Sequence, residues 1–441
     1  MDQIVVAKFG GSSLADAEQI RKVIGIIASR GYRYVVVSAP GKSKRYSTKM
    51  TDELIQLKEN QSNQNVQIPR AAAVRSRFTD IVRELGLKID LDDDLRFLGR
   101  PAEHHKDMVV SRGESIIARI LAVAVEGVFQ DSANIIKFRP DGQVDVKATE
   151  QSRQMLLDQD RVCVIPGFYG TMLHTGDITT FPRNYSDVSG AWITRLVNAR
   201  EYHIYSDTPM MRAHPHIVPH ARRVDVATYD EVTELSSMGA TVIHPATLPP
   251  LEGVGGRPIR LFNTNSPEDP GTLIVSDEQV SSHDRNNPIV GVAGQEGYSI
   301  IRIKKRLMGE EIGADKRIFA IFDEHNINVE RSTDNSQSVD VIVRTDQLNG
   351  EIWNLQVEFR SKLNVDVVDV VQDVALVSVV GTAMAGKIGT TARLFTAFAK
   401  ADVNIMSHFQ TSWENNITIA VRTDDKDKAI LAAHDEFEKE S

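Results

Sequence analysis

The chain has 441 residues, which is more than one ordinary hydrophobic core accommodates, so two or three domains are expected. Hydrophobic residues make up 41% of it and charged residues 25%, and no apolar run is long enough to span a membrane. Its net charge of −9 gives no electrostatic reason to expect nucleic acid or an anionic membrane as a partner, which leaves small molecules and other protein chains.

The N-terminus and the cysteine content lead us to expect a cytoplasmic protein. The opening "MDQIVVAKFGG" has no basic region before its first apolar run, so we expect no signal peptide. Cys163 is the single cysteine, which excludes an intramolecular disulfide and suits a reducing compartment. Because it lies in an apolar run, we expect a small buried hydrophobic residue rather than a nucleophile.

Short apolar strands alternate with helical patterns through the first 280 residues. The predicted strands lie in "QIVVAKFGG", "YRYVVVSAPG", "VCVIPGFYG", "EYHIYSDT" and "PIRLFNT". The predicted helices lie at 17–29, 69–86, 113–126, 189–199 and 228–237. This alternation predicts an α/β domain with a mainly parallel sheet, helices on both faces and ligands at the C-terminal strand ends. We expect the polar segment 39–66 to be mobile.

The stretch "AKFGGSS" ends the first predicted strand with Lys8, Gly10, Gly11 and Ser12. Glycines there let backbone N–H groups approach phosphate oxygens, and the lysine supplies compensating charge. The spacing matches neither the dinucleotide nor the Walker pattern, so a tight turn with a surface lysine is an equal alternative. Further along, "SRGESI" places Glu114 at a helix start, where a carboxylate is often only a favoured first-turn residue.

The stretch "DITTFPRNYSDVSGAW", residues 177–192, lies between a predicted strand and a predicted helix. It gathers Ser, Thr, Arg, Tyr and Asp side chains. One interpretation is a helix cap, in which Ser186 or Asp187 accepts hydrogen bonds from free N–H groups. The other is a loop that handles charge for chemistry.

Beyond Asn287 the sequence repeats itself. Residues 298–346 return as 374–424, with Gly313 matched by Gly389. Each copy reads as a strand, a glycine turn, an amphipathic helix and two further strands. This order resembles the ACT domain, a ferredoxin-like module that binds free amino acids between paired copies. The alternative is that the repeats only dimerise.

Taken in order, the motifs resemble those of aspartokinase over essentially the whole chain. The set is "KFGGSS", "VVSAPGK", "MTDEL", "SRGE", "PGFYG", "TTFPRNYSD", "HPHIVPHARRVD", "ELSSMGATVIHPAT" and the tandem repeat. The resemblance implies an amino acid kinase-like α/β sandwich over 1–280. Two ferredoxin-like (βαββαβ) ACT domains would follow, over 288–365 and 366–441. The resemblance allows each of these two domains to contribute strands to the other.

Aspartokinases move the γ-phosphoryl group of MgATP to the β-carboxylate of aspartate. The resemblance implies that Lys8 bridges the nucleophile and the transferring phosphate, and that Asp187 orients Lys8 and helps to manage magnesium. Gly10, Gly11 and Ser12 would hold the phosphates. An ionised substrate carboxylate needs no strong general base.

The resemblance also implies a site for the amino-acid substrate. Arg183 would grip the α-carboxylate with two parallel hydrogen bonds, and Glu114 would pair with the ammonium group. Ser186 would hydrogen-bond the substrate, Thr51 would line the pocket, and Phe168 would form its wall.

The implied nucleotide-binding residues, besides the glycine turn, are Ser206, Asp207, Met211, His216 and Thr241. Here the chain departs from the family pattern: Ser206–Pro209 is one residue short, and histidine stands at 216 in place of arginine. Thr241 stands where many members carry lysine. The histidines of "HPHIVPH" lack carboxylate partners in the sequence, so no protein-bound metal is expected beyond Mg²⁺ brought in with the nucleotide.

Asn184 and Tyr185 replace two glycines of the family pattern. Either the loop takes another path, or Tyr185 is strained and its ring occupies substrate or phosphate space. Three functions therefore stay open: an aspartokinase, a relative that phosphorylates another amino acid, and a catalytically silent amino-acid sensor.

The first repeat carries the expected effector site, which would form across paired copies from two chains. Its residues are Met308, Glu311, Gly313, Ala314, Asp315, Asn328, Val329 and Glu330. Free N–H groups at the helix start would receive the effector's carboxylate, and the two glutamates Glu311 and Glu330 would suit a basic effector. We expect lysine, or failing that threonine, and a homodimer or higher homo-oligomer.

Overall fold

The structure is a computed structural model. It describes residues 4–98, 104–157, 160–182, 185–240, 243–252, 256–280, 287–348, 350 and 352–439. The chain forms two compact units. The first comprises Met1–Met210, Asp225–Val232 and Val242–Val280, and the second comprises Met211–Val224, Thr233–Thr241 and Ser281–Ser441.

The first unit is built on an eight-stranded sheet in the order β3-β5-β2-β1-β8-β10-β11-β9, beside a small sheet in the order β4-β6-β7. The strands are β1 (Val5–Phe9), β2 (Tyr34–Val37), β3 (Val128–Phe129), β4 (Lys137–Phe138), β5 (Cys163–Pro166), β6 (Tyr169–Met172), β7 (Ile178–Thr180), β8 (Glu201–Ser206), β9 (Val226–Thr228), β10 (Ile259–Asn263) and β11 (Thr272–Val275). All ladders of the large sheet are parallel except that between β10 and β11. The mainly parallel α/β sheet is therefore confirmed.

Ten helices precede the tandem repeat within the described residues. They are α1 (Ala17–Arg30), α2 (Met50–Glu59), α3 (Gln64–Leu85), α4 (Asp92–Leu98), α5 (Lys106–Val110), α6 (Arg112–Ala124), α7 (Val146–Gln151), α8 (Arg153–Leu157), α9 (Ser186–Leu196) and α10 (Tyr229–Ser237). Each predicted helix has a counterpart among them. The expectation of a mobile 39–66 segment is wrong, because α2 lies inside it and buries Met50, Leu54 and Leu57 at helical spacing.

The second unit carries a six-stranded sheet in the order β13-β14-β12-β15-β17-β16. Its elements are β12 (Gly291–Lys304), α11 (Ala314–Glu324), β13 (Val329–Asn335), β14 (Ser338–Arg344), α12 (Ile352–Leu363), β15 (Val367–Val380), α13 (Thr390–Lys400), β16 (Ser407–Gln410), β17 (Asn416–Arg422) and α14 (Lys426–Glu438). Gly313 and Gly389 precede α11 and α13 with φ of +76° and +93°, which glycine adopts without strain. The predicted repeat is confirmed, and the matched glycines serve the same turn.

Two long strands each serve both repeats. In β12, residues 298–304 pair with β14, whereas residues 291–295 pair with 376–380 of β15. The opposite half of β15 completes the first repeat, and residues 374–380 pair with β17 of the second. Each half of the sheet thus has the four strands of a ferredoxin-like module. In the described part of the chain, no helix combines the length and the apolar character needed to cross a bilayer.

Candidate active site

An ion pair lies at the end of the central strand of the first unit. Lys8, near the C-terminal end of β1, is only 8% exposed, and β1 is hydrogen-bonded on both sides, to β2 and β8. Its Nζ lies 2.7 Å from Oδ1 of Asp187 in the first turn of α9. This buried pair places the ammonium group of Lys8 at the C-terminal ends of the strands, where parallel sheets bind ligands.

Asp187 is held in place by a tyrosine that the sequence did not single out. The hydroxyl of Tyr202, buried on β8, donates to the backbone carbonyl of Asp187 at 3.1 Å. A Cβ atom at Gly190 would lie 2.0 Å from that hydroxyl oxygen, so only glycine admits the ring beneath α9. The available signal was a tyrosine in a predicted buried strand, because its hydroxyl requires a partner when buried.

The glycine turn after β1 packs directly against the turn after β2. The N–H of Gly10 donates to the carbonyl of Tyr205 at 2.9 Å, and the N–H of Gly41 donates to the carbonyl of Gly11 at 2.7 Å. A Cβ atom at Gly11 would lie 2.7 Å from the carbonyl oxygen of Ala39. Ser12 begins a short 3-10 helix. These glycines therefore have a packing role that does not depend on any ligand.

Arg77 joins the same loops and was missed from the sequence. It is 4% exposed on α3, and its guanidinium donates to the carbonyl oxygens of Ala15 at 2.8 Å, Thr48 at 3.0 Å and Gly41. Burial lowers its pKa to about 10. Arg77 lies three residues after the buried Val74 and so shares its face of the helix. That position could have identified it, because a charged residue on an apolar face needs hydrogen-bond acceptors.

Glu114 lies at the start of α6 and is 3% exposed. Burial raises the pKa of this carboxyl to about 8, against the opposing effect of hydrogen bonds from the N–H groups of Ala39 and Glu114 itself and of the charge on Lys8. Among the described residues, no donor reaches Oε2. A desolvated carboxyl with a free oxygen next to an ion pair is a strong candidate for binding a ligand.

The helix that carries Glu114 packs closely on α2, which carries Thr51. A Cβ atom at Gly113 would lie 2.9 Å from Cβ of Ala39 and 3.2 Å from a methyl carbon of Leu54. Thr51 itself is half-buried at the start of α2. The close approach brings the start of α2, where Thr51 lies, toward the loop after β2.

Phe168 and Ser186 meet at the start of α9. Phe168 is 5% exposed and has φ of +75°, a left-handed conformation that is uncommon for a bulky residue. Its N–H donates to Oγ of Ser189 at 2.9 Å. A Cβ atom at the preceding Gly167 would lie 3.0 Å from Cβ of Ser186, so this strand end and α9 approach closely. Such strain at a strand end supports a functional position for Phe168.

Tyr185 adopts an ordinary backbone conformation, with φ of −94°. The idea that its backbone is strained is therefore wrong, and the path of the loop before it stays a prediction. Its ring centroid lies 5.9 Å from that of Phe181 and 3.9 Å from that of His244. Burial lowers the pKa of His244, and the charge of Asp187 opposes this effect. Arg183 and Asn184 lie outside the described residues.

The predicted nucleotide-binding residues are not all in one unit. Ser206 ends β8, where its hydroxyl donates to Oδ1 of Asp207 at 3.3 Å. Met211 and His216 belong to the second unit. Thr241 lies outside the described residues. The nucleotide-binding set therefore remains a prediction.

The predicted effector residues cluster in part. Met308, Glu311 and Ala314 line a small open pocket, which is completed by Lys305, Arg317, Ile318, Leu363 and Val365. Glu311 forms ion pairs with Lys305 and, at 2.8 Å, with Arg317, and these contacts lower its pKa.

The remaining effector residues lie beside that pocket or on the neighbouring strand. Gly313 precedes α11, and Asp315 is in its first turn. Asn328, Val329 and Glu330 lie at the start of β13 and are not among the pocket's lining residues. The side-chain amide of Asn328 donates to Oε1 of Glu330 at 3.1 Å.

Known families and proteins match nearly the whole chain. The amino acid kinase family matches residues 3–263, and an ACT domain matches residues 377–437. The chain is 33% identical to aspartokinase 3 of Bacillus subtilis over 452 residues, covering 98% of each chain. It is 27% identical to the aspartokinase of Corynebacterium glutamicum over 458 residues, covering 99% of this chain and 96% of that one.

Solved structures give the same fold. The aspartate kinase of Clostridium acetobutylicum, described as an allosteric enzyme, superposes with a TM-score of 0.90 at 35% identity, covering 98% of this chain and 100% of that one. Aspartokinase III of E. coli in complex with aspartate and ADP has a TM-score of 0.76 at 21% identity, covering 98% of this chain and 99% of that one. The latter likeness shows the fold alone.

Proposed function

We propose that this chain, which belongs to the aspartokinase family, transfers the γ-phosphoryl group of ATP to the β-carboxylate of L-aspartate. The products are 4-phospho-L-aspartate and ADP. The observation that carries the proposal is the buried Lys8–Asp187 ion pair at the C-terminal strand ends, beside the desolvated carboxyl of Glu114. Because the single cysteine, Cys163, is free and buried, which suits a reducing compartment, we place the protein in the cytoplasm.

Lys8 acts on the transferring group in this proposal. Phosphoryl transfer depends mainly on alignment and on neutralising charge that builds up on the phosphate oxygens. The ammonium of Lys8, held by Asp187, meets that charge, while Gly10, Gly11 and Ser12 offer backbone and hydroxyl donors to the phosphates. The substrate carboxylate is already ionised at neutral pH and attacks without a strong base.

Glu114 binds the ammonium of the substrate. Its carboxyl, mostly protonated in the empty site near neutral pH, loses its proton when a cation arrives, because an adjacent positive charge lowers the pKa. Ser186 and Phe168 border the start of α9, and Thr51 completes the substrate pocket. Arg183 grips the α-carboxylate with its guanidinium fork.

The nucleotide side of the site takes ATP through Ser206, which ends β8, and Asp207, which follows it. Mg²⁺ bound with the nucleotide would supply positive charge to the phosphates. The carboxylate of Asp187 is an oxygen ligand of the kind that Mg²⁺ accepts, so the residues present fit this ion.

A relative with a different amino-acid substrate is the second candidate, and Tyr185 is the observation that favours it. The ring packs against His244 at an interplanar angle of 37°, close to Asp187, at a position where the family pattern has glycine. If Tyr185 shapes the pocket for another substrate, Asn184→Gly with Tyr185→Gly should lower activity on that substrate and raise activity on aspartate. If the loop merely takes another path, the double variant keeps or raises aspartate activity.

Hydroxamate trapping of the acyl phosphate tests the function directly. With MgATP, product from aspartate supports the aspartokinase, and product from another amino acid alone supports the relative. A purified, folded protein that yields no product from any amino acid would contradict both and leave a silent sensor.

Regulation follows from the ACT pair. We propose that lysine, or failing that threonine, binds near Met308, Glu311, Gly313, Ala314 and Asp315, with the start of β13 from a paired copy. The side chains of Ile312 and Ile388 are 97% and 101% exposed at matched positions of the two repeats, which favours a homodimer that covers them. An effector shifts activity only by binding the two states unequally, so inhibition and a raised melting temperature should appear together.

A further inference from the structure

Two histidines and a carboxylate converge in the second unit. His220 lies at the end of the segment "HPHIVPH", and His434 and Asp435 are adjacent on α14. Nε2 of His220 lies 2.9 Å from Oδ1 of Asp435, and Nδ1 of His434 lies 3.1 Å from the same oxygen. One donor atom from each of the three residues lies within 4.8 Å of the others.

We propose that His220, His434 and Asp435 form a binding site for a zinc-type divalent cation. The segment "HPHIVPH" itself contains no carboxylate, and the fold supplies one from α14, 215 positions away from His220. Imidazole nitrogen with one carboxylate oxygen is a ligand set typical of Zn²⁺, with water in the fourth position. The inference is independent of the phosphotransfer reaction.

The distances fit a tetrahedral ion. Zinc bonds of about 2.0–2.2 Å separate neighbouring ligand atoms by roughly 3.3 Å, so the two nitrogen–oxygen distances need only a small expansion. The side chains of His220 and Asp435 are 62% and 45% exposed, which gives an ion and its water access to the site.

His434 can present Nδ1 to a cation at little cost. Its side chain is 1% exposed, and among the described residues Nε2 has no hydrogen-bond partner. In the tautomer that donates to Asp435, Nε2 is a buried acceptor without a donor. In the metal-binding tautomer it is a buried donor without an acceptor, so the cost of one unsatisfied nitrogen is present in both.

Neighbouring ion pairs hold the two segments together. Glu438, one turn after Asp435 on α14, pairs with Arg222 and, at 3.3 Å, with Arg212. The two arginine charges are thus partly compensated, and Asp435 remains the carboxylate that faces the histidines. A bound ion would cross-link residues 211–224 to α14.

Zinc titration of the apo protein followed by calorimetry, with Co²⁺ as a spectroscopic probe, tests the site. We expect one Zn²⁺ per chain, tetrahedral Co²⁺ bands in the visible spectrum and a raised melting temperature. His220→Ala and Asp435→Asn, both at exposed side chains, should each weaken zinc binding by roughly tenfold or more and remove the bands.

Two controls separate this site from adventitious binding. His174→Ala, at an exposed turn of the first unit, should leave zinc affinity unchanged. His214→Ala tests the neighbouring pair His214 and His216, whose rings stack at 5.3 Å. The proposal is overturned if no zinc binds at micromolar concentration, if the two site variants bind like the wild type, or if only His214→Ala loses binding.

Discussion

Glu114→Gln should stabilise the protein while it removes the negative charge proposed to bind the substrate ammonium. The carboxyl is completely desolvated, and its pKa rises from 4.5 to about 8. Glutamine keeps the shape and can still accept the hydrogen bond from Ala39. It has no proton to lose, so the pH dependence that burial imposes on Glu114 disappears in the variant.

The magnitude follows from proton linkage. Below pH 4.5 the carboxyl is protonated in both states, so it adds no pH dependence there. Between pH 4.5 and 8 the unfolded chain releases its proton and the folded chain keeps it, so the free energy of unfolding falls by about 1.4 kcal/mol per pH unit. The loss reaches about 3 kcal/mol near pH 7 and about 5 kcal/mol above pH 8, where it levels off.

Urea unfolding of both proteins, without ligands, at about pH 5, 7 and 9 measures this loss. The difference between Glu114→Gln and the wild type should grow with pH, and the variant should bind aspartate more weakly. Glu18→Gln is the control, because Glu18 is an exposed first-turn residue of α1 and should change stability by at most about 0.5 kcal/mol. A stability difference that does not depend on pH would refute the burial of an ionisable Glu114.

Three further substitutions test other parts of the site. Lys8→Ala should lower kcat by about 10²–10³-fold, since the charge of Lys8 acts in the transition state, and the circular dichroism spectrum should be unchanged. A near-normal rate would exclude Lys8 from the phosphate site. Tyr202→Phe should lower the free energy of unfolding in urea by about 1 kcal/mol and should also lower kcat, because the hydroxyl no longer anchors Asp187. An unchanged kcat would show that this hydrogen bond is purely structural. Arg77→Lys should cost about 2–4 kcal/mol, since the compact ammonium of lysine cannot span the three separate carbonyl groups that the guanidinium reaches. A stability equal to that of the wild type would contradict this role.

The alternation of strands and helices could be predicted from the sequence, because short apolar runs that end in Gly, Ser or Asp are typical of buried strands. Lys8 was singled out because it lies where a strand ends, whereas the role of Asp187 beside it was implied by the resemblance to aspartokinases. Helix α2 was missed because its polar face dominates the composition of 39–66. Only three buried positions, Met50, Leu54 and Leu57, reveal its period.

The residues that hold the site together could not be read from local sequence. Tyr202 and Asp187 are 15 positions apart, and Arg77 reaches the carbonyl of Ala15 across 62 positions. Their partners are backbone carbonyl groups, which leave no trace in residue type. The same holds for Asp435, whose pairing with His220 depends on the fold of the second unit.

The charge balance of the effector pocket bears on which amino acid it receives. Glu311 was expected to attract a basic effector, but Lys305 and Arg317 already pair with it. These three side chains carry one net positive charge, which suits the carboxylate of an amino acid and offers nothing to a second ammonium group. Glu330, the other expected acidic contact, lies outside the pocket lining. The residues that one chain contributes to the pocket therefore favour an effector with an uncharged side chain, such as threonine. A preference for lysine would require acidic groups from the partner subunit.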